Sequence, residues 1–155
     1  MFHQTDMEEI IENLKYKTEI SELIAEGINI PNELVTPNDF EAYRWIFDHE
    51  NKSNHIPIYK QHPQRFIKDT EKKELTTSGY ALSCFNSEYN AENTFNKFSK
   101  SFPNFWKLVG NSISKGIIRE PDGRLTHPSN TGHFDLYEFV ECNLNHTFVL
   151  IKKLI

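Results

Sequence analysis

Cysteine is scarce in this sequence: Cys84 and Cys142 are the only two, and they do not form a Cys-x-x-Cys pair. That is too few for a disulfide framework, so a reduced, cytoplasmic setting is the expectation. No stretch approaches the roughly 18 apolar residues of a membrane span, and the N-terminus has no basic region followed by an apolar run. The sequence therefore predicts neither a membrane protein nor a conventionally secreted one. The strong chemical motifs are also missing. There is no Gly-x-x-x-x-Gly-Lys-Ser/Thr, no Gly-x-Gly-x-x-Gly, no His-Glu-x-x-His and no Gly-x-Ser-x-Gly. Their absence argues against P-loop nucleotide hydrolysis, a Rossmann enzyme, a zinc protease and an α/β-hydrolase. No repeats or low-complexity tracts are present.

What is present is a globular composition, with 25% charged and 13% aromatic residues, twelve of them Phe. A chain of 155 residues is long enough to bury a core without staples and reads as one domain. Charge is unevenly spread within the net −5: residues 1–42 hold ten acidic and two basic side chains, the remainder twelve and fifteen. Residues 1–35 thus form an acidic, helical leading segment ahead of a slightly basic body, 36–155. Such asymmetry fits a solvated acidic helix face, and it also fits an arm for a protein partner.

Thr5 and Glu8 have the spacing of a capping box. Met7, Ile10, Ile11 and Leu14, then Ile20, Leu23 and Ile24, recur at helical spacing before Gly27, which predicts two short helices or one bent helix. Thr36-Pro37-Asn38-Asp39 has the marks of another helix start, running into a strand at Tyr43–Phe47. Asp48 to Leu75 is polar and broken by Pro57 and Pro63, with only Ile56–Tyr59 offering a strand. Gly79 to Phe85 reads as a strand. Ser87 caps the next helix, whose buried stripe is Ala91, Phe95 and Phe98, and Pro103 opens a shorter helical piece stopped by Gly110. Ile113–Arg119 is a strand, Pro121-Asp122-Gly123 a turn, and His146–Lys152 a final strand. Helices lead and strands dominate later, so the prediction is α+β with a mainly antiparallel sheet.

The organising stretch is Thr131 to Glu141, a strand of β-branched and aromatic residues. Alternation puts Phe134, Leu136, Glu138 and Val140 on one face, and His133, Asp135, Tyr137, Phe139 and Glu141 on the other. Glu138 falls among apolar neighbours, where a carboxylate needs a partner or a task. Arg44 and Ser83 also sit in apolar, strand-like context. An Arg, a Ser leading from strand to helix, and a Glu on a late strand, in Tyr43-Arg44-Trp45, Ala81-Leu82-Ser83 and Tyr137-Glu138, resemble the Arg-Ser-Glu pattern of ADP-ribosyltransferases. That resemblance implies a small effector- or toxin-type enzyme using NAD and no metal. Arg44 would hold the dinucleotide phosphates, with Tyr43 and His133 as further cofactor contacts. Ser83 would steady the active-site Glu or the nicotinamide ribose. Glu138 would bond the ribose hydroxyl and stabilise the charge that develops as nicotinamide leaves. The chain departs from the pattern in having Leu82-Ser83-Cys84 where Ser-Thr-Ser is usual, and Glu138-Phe139-Val140-Glu141 where Glu/Gln-x-Glu is usual.

Other readings compete. Arg44 and Glu138 could simply brace two strands. The protein could be a non-catalytic interaction module, an immunity, antitoxin or phage-type inhibitor protein presenting its acidic N-terminal helices. Cys84 and His133 follow the order of papain-like and related amidase folds, with Asp135 as orienting group, although a core cysteine is the commoner fate. His49, Glu50, His55 and His62 cluster without recognised metal-ligand spacing. Lys68, Lys72, Lys73, Lys97, Lys100 and Lys107 raise nucleic-acid binding, against a negative net charge, and the Phe95, Phe98, Phe102, Phe105 and Trp106 series reads as core rather than as a base-stacking platform.

Overall fold

The computed structural model describes residues 4–49 and 53–155. Two short helices lead, α1 (Gln4–Glu12) and α2 (Lys17–Ala25), as the apolar spacing predicts. Ile10, Leu14, Ile20 and Leu23 form their buried stripe, and Gly27, at φ 87°, ends the second helix with a conformation that costs a glycine little. The Thr5 side chain of the expected capping box lies outside the described residues.

Six strands follow: β1 (Phe40–Ile46), β2 (Leu82–Phe85), β3 (Ser112–Ile118), β4 (Gly123–Leu125), β5 (His133–Glu138) and β6 (Val149–Lys153). They form one antiparallel sheet in the order β4-β5-β2-β1-β3-β6, giving the expected α+β class. Between β1 and β2 lie two helices, α3 (Ile58–Gln61) and α4 (Pro63–Glu71); between β2 and β3 lie α5 (Glu88–Ser101) and α6 (Trp106–Val109). Ser87 caps α5 as expected, its Oγ accepting from the Asn90 amide at 3.0 Å. Gly110 ends α6 at φ 118°, and a Cβ there would meet the Ile46 carbonyl oxygen at 2.2 Å, so no larger residue fits.

Alternation sorts the sheet into two faces. Tyr43, Phe85 and Ile113 pack with Ala91 of α5 on one. Ala42, Leu82, Cys84, Ile118, Phe134 and Leu136 lie on the other and are closed over by Leu144 and Phe148. A third cluster joins the leading helices to Tyr59, Tyr80 and Tyr137. Val35 closes the β4 edge by exchanging backbone bonds with Leu125, at 2.7 and 2.9 Å. At the opposite end β6 is exposed along its whole length, with Lys152 paired to Glu92 and Lys153 to Asp48.

The structure corrects five local expectations. No helix starts at Thr36–Asp39; Asp39 turns the chain at φ 47° and Phe40–Ile46 is strand throughout. All seven residues pair with β3, so tertiary pairing overrides the local helix signal. Ile56–Tyr59 is not a strand, and the polar stretch holds α3 and α4; Pro63 opens α4 from a first-turn position. The strand at Gly79–Phe85 is shortened to β2 by a 3₁₀ turn over Thr77–Tyr80. On α5, Ala91 and Phe95 are buried but Phe98 is 47% exposed. β5 is shorter than Thr131–Glu141, and Val140 is exposed.

Phe134 is fully buried and meets Phe40 edge-on at 5.2 Å. Phe134→Ala is expected to destabilise the fold by about 3–5 kcal/mol, read as a lowered urea midpoint at unchanged slope.

Candidate functional site

β1 and β2 are sheet neighbours, yet their only register pair is Tyr43 with Phe85. Arg44, one residue past that pair, is buried, and its guanidinium takes up the connection. It donates from an Nη to the Ser83 carbonyl oxygen, from Nε to His55 Nδ1 at 3.1 Å, and from the other Nη to the Asn54 carbonyl oxygen at 3.0 Å. Arg44 therefore ties β1 to β2 and both to the segment before α3. Three of its five N–H groups are committed to these acceptors. Burial, with Arg44 adding to it, lowers His55 from 6.5 to about 3, so the ring is neutral and free to accept at Nδ1.

β5 lies on the other side of β2, with Ser83 opposite Asp135 and Phe85 opposite His133. Ser83, His133 and Asp135 thus share a face. Ser83 Oγ is hydrogen-bonded to His133 Nε2, and Asp135 Oδ1 stands 3.8 Å from the same nitrogen. Because both reach one nitrogen, this is not the Ser–His–acid relay, in which the acid holds the opposite ring nitrogen. Phe85 fixes the imidazole edge-on at 5.5 Å. Burial raises the Asp135 carboxyl above its ordinary range, while His133 pulls it down.

Two clefts meet here, sharing Trp45 and Ser83. One, of about 280 Å³, is lined by Arg44, Asn54, Ser83, Leu108 and Asp135 among others. The other, of about 610 Å³, runs between α5 and the loop before β5, with Phe85, Lys97, Phe98 and His133 in its walls.

Glu138 is elsewhere. It is 3% exposed, and its Oε2 accepts from Lys15 Nζ at 2.8 Å. The backbone reinforces the contact: the Lys15 amide donates to the Glu138 carbonyl at 2.9 Å, and the Val140 amide to the Asn13 carbonyl at 3.0 Å. The turn between α1 and α2 is thus stitched to the end of β5. Glu138 lines neither of the two clefts that hold Ser83.

Tyr43, expected at the cofactor, is a core residue packed with Phe85 and Ile113, and it lines neither cleft. Cys84 and His133 lie on opposite sheet faces, since Cys84 pairs with Phe134 and His133 with Phe85. The Cys84 thiol is fully buried, pushed up to about 11 by that burial, and donates weakly to the Leu82 carbonyl at 3.7 Å. It has neither the exposure nor the acidity of a nucleophile. Among the described residues, no three His, Cys, Asp or Glu side chains converge as metal ligands; Glu50 of the histidine cluster lies outside them. The sequence reading missed Asn54 and Lys15, and raised His55 only within a histidine cluster, not as an acceptor for Arg44. The alternation around β5 put Asp135 on the His133 face, but nothing local marked the three as partners.

No family model matches the chain, and neither the curated proteins nor the solved structures contain a match to it.

Two outcomes test this geometry. Lys15→Ala leaves the buried Glu138 carboxylate without its cation and is expected to destabilise by about 3–5 kcal/mol in urea unfolding, whereas Lys15→Met with Glu138→Leu restores most of the loss. His55 is depressed in the fold, so its contribution is full above 6.5 and is lost as pH falls from there towards about 3. Unfolding free energy at pH 5 is expected to fall below that at pH 7 by about 1–2 kcal/mol from this residue, a component that His55→Asn removes.

Proposed function

We propose that the chain is a small NAD-using transferase of the ADP-ribosyltransferase type, with Asp135 in the place expected of Glu138. The observation that carries this reading is the adjacency of β5, β2 and β1, which gathers Arg44, Ser83, His133 and Asp135 around meeting clefts. In this reading the N–H groups of Arg44 not used internally meet the dinucleotide phosphates. Ser83 and His133 position the nicotinamide ribose. The carboxylate of Asp135 bonds the ribose hydroxyl and stabilises positive charge on the sugar as the glycosidic bond breaks, nicotinamide leaving with the bonding pair and an acceptor nucleophile taking its place. A carboxyl raised by burial beside a cleft is a common sign of such a role.

A second reading is the non-catalytic interaction module. It is favoured by the buried Lys15–Glu138 pair, which takes up Oε2 of the expected catalytic carboxylate and anchors the leading helices with Glu9, Glu12, Glu22 and Glu26 exposed.

Nicotinamide release from NAD, with cell lysate as acceptor source, separates the two. Wild type is expected to release nicotinamide, Asp135→Asn to lose at least about 10²-fold, and Glu138→Gln, verified as folded, to stay within a few-fold. Loss in Glu138→Gln with Asp135→Asn intact would return the role to Glu138. No release from wild type would overturn the transferase reading and leave the module.

A further inference from the structure

Residues 93–119 hold Lys97, Lys100, Lys107, Lys115 and Arg119 and no acidic residue, in a chain of net charge −5. Two of these cations are neutralised in the fold, Lys115 by Glu41 at 3.6 Å and Arg119 by Asp39 at 3.2 Å. The other three are exposed and, among the described residues, make no ion pair with a carboxylate. Lys97 and Lys100 lie on α5 and Lys107 on α6.

Large apolar side chains stand among them. Phe102 is 64% exposed, and Phe98 and Leu108 are exposed as well. Phe98 is braced rather than loose. Its ring stacks on Phe105 at 5.1 Å and 28°, and Phe105 in turn meets Trp45 edge-on at 5.4 Å. One flat face of Phe98 is thus supported from within while the residue remains half open to solvent. Lys97 and Phe98 also enter the wall of the 610 Å³ cleft, where the polar lining is hydroxyls, His133 and Lys97, with no carboxylate.

We infer that this face, the C-terminal half of α5 with α6 and the adjoining cleft, binds single-stranded nucleic acid. The chemistry fits a strand in two respects. Unpaired lysines interleaved with exposed aromatics supply backbone neutralisation and base stacking at alternating positions. The cleft beside them has no carboxylate in its own lining, Asp135 belonging to the smaller cleft that meets it, and so has room for a base or phosphate. A purely apolar partner would gain nothing from the lysines, and a purely polyanionic one nothing from Phe98 and Phe102. The inference does not rest on the transferase reading, since binding is measured without NAD.

The test is fluorescence anisotropy with labelled single-stranded DNA and RNA of about 12 nucleotides, duplex of the same length, a mononucleotide and heparin, across a salt series. Binding to the single strands, weaker for duplex, is expected. Phe98→Ala and Phe102→Ala should each weaken it roughly tenfold. Lys97→Glu with Lys100→Glu, at exposed positions that leave the core alone, should weaken it further and flatten the log–log salt slope by about 1.4, two contacts at 0.7 each. No binding at low salt would overturn the inference, as would single-strand binding indifferent to both the aromatic and the lysine changes. Heparin bound as tightly as the oligonucleotides would reduce the face to a non-specific cation patch. A mononucleotide bound as tightly as the strand would make the cleft a free-nucleotide site instead.

Discussion

The arrangement depends on one weak seam. The sheet order joins β4-β5-β2 to β1-β3-β6 through a single register pair, Tyr43 with Phe85. Beyond it, a side chain replaces the ladder: the Arg44 guanidinium donates to the Ser83 backbone carbonyl. A guanidinium reaches farther than a backbone amide, so it can hold two strands where the pleat no longer matches. The opening this leaves is where Arg44, Ser83 and Asp135 line a common cleft. The same cation needs a neutral acceptor at Nε, which is what the buried His55 ring supplies. Sheet geometry and cleft thus meet at one guanidinium, which also adds to the burial that keeps His55 neutral.

The buried Lys15–Glu138 pair is a different solution to a similar cost. A carboxylate 3% exposed at the end of β5 must be compensated, and a cation 123 residues away does so. The compensation has a structural return, because it fastens the acidic leading helices to the sheet end. Burial and this carboxylate also push the Cys142 thiol upward, leaving both cysteines as core residues and poor nucleophiles.

Much of the architecture could be read from the sequence. Apolar spacing in α1 and α2, the Ala91–Phe95 part of the α5 stripe, the Ser87 cap and the alternation within His133–Glu138 are local signals that the fold uses. The errors arose where distant pairing outweighs local preference. Thr36–Asp39 has helix-start residues but feeds a strand held at every position by β3. The helices between β1 and β2 are short and polar, with Tyr59 hydrogen-bonded to Asp69 at 2.8 Å as a buried anchor that no periodicity reveals. At the site, alternation grouped His133 with Asp135 correctly, and Arg44 and Ser83 do meet. Glu138 was singled out for the right physical reason, a charge in apolar surroundings, but its partner is invisible in the strand that carries it.

The two ends of the sheet also differ in consequence. Val35 occupies the hydrogen-bonding edge beyond β4, whereas β6 leaves its outer edge uncovered, with Val149, Leu150 and Ile151 all exposed. An open, apolar terminal strand invites a neighbouring chain to extend the sheet. Here Lys152 and Lys153 stand at the last positions of that strand, held by Glu92 and Asp48. A second copy adding antiparallel at this edge would bring its own lysines alongside Val149 and Leu150 and would have to strip their water. Charged side chains on an edge strand oppose such pairing, so Lys152 and Lys153 weigh against a second copy extending the sheet at this edge.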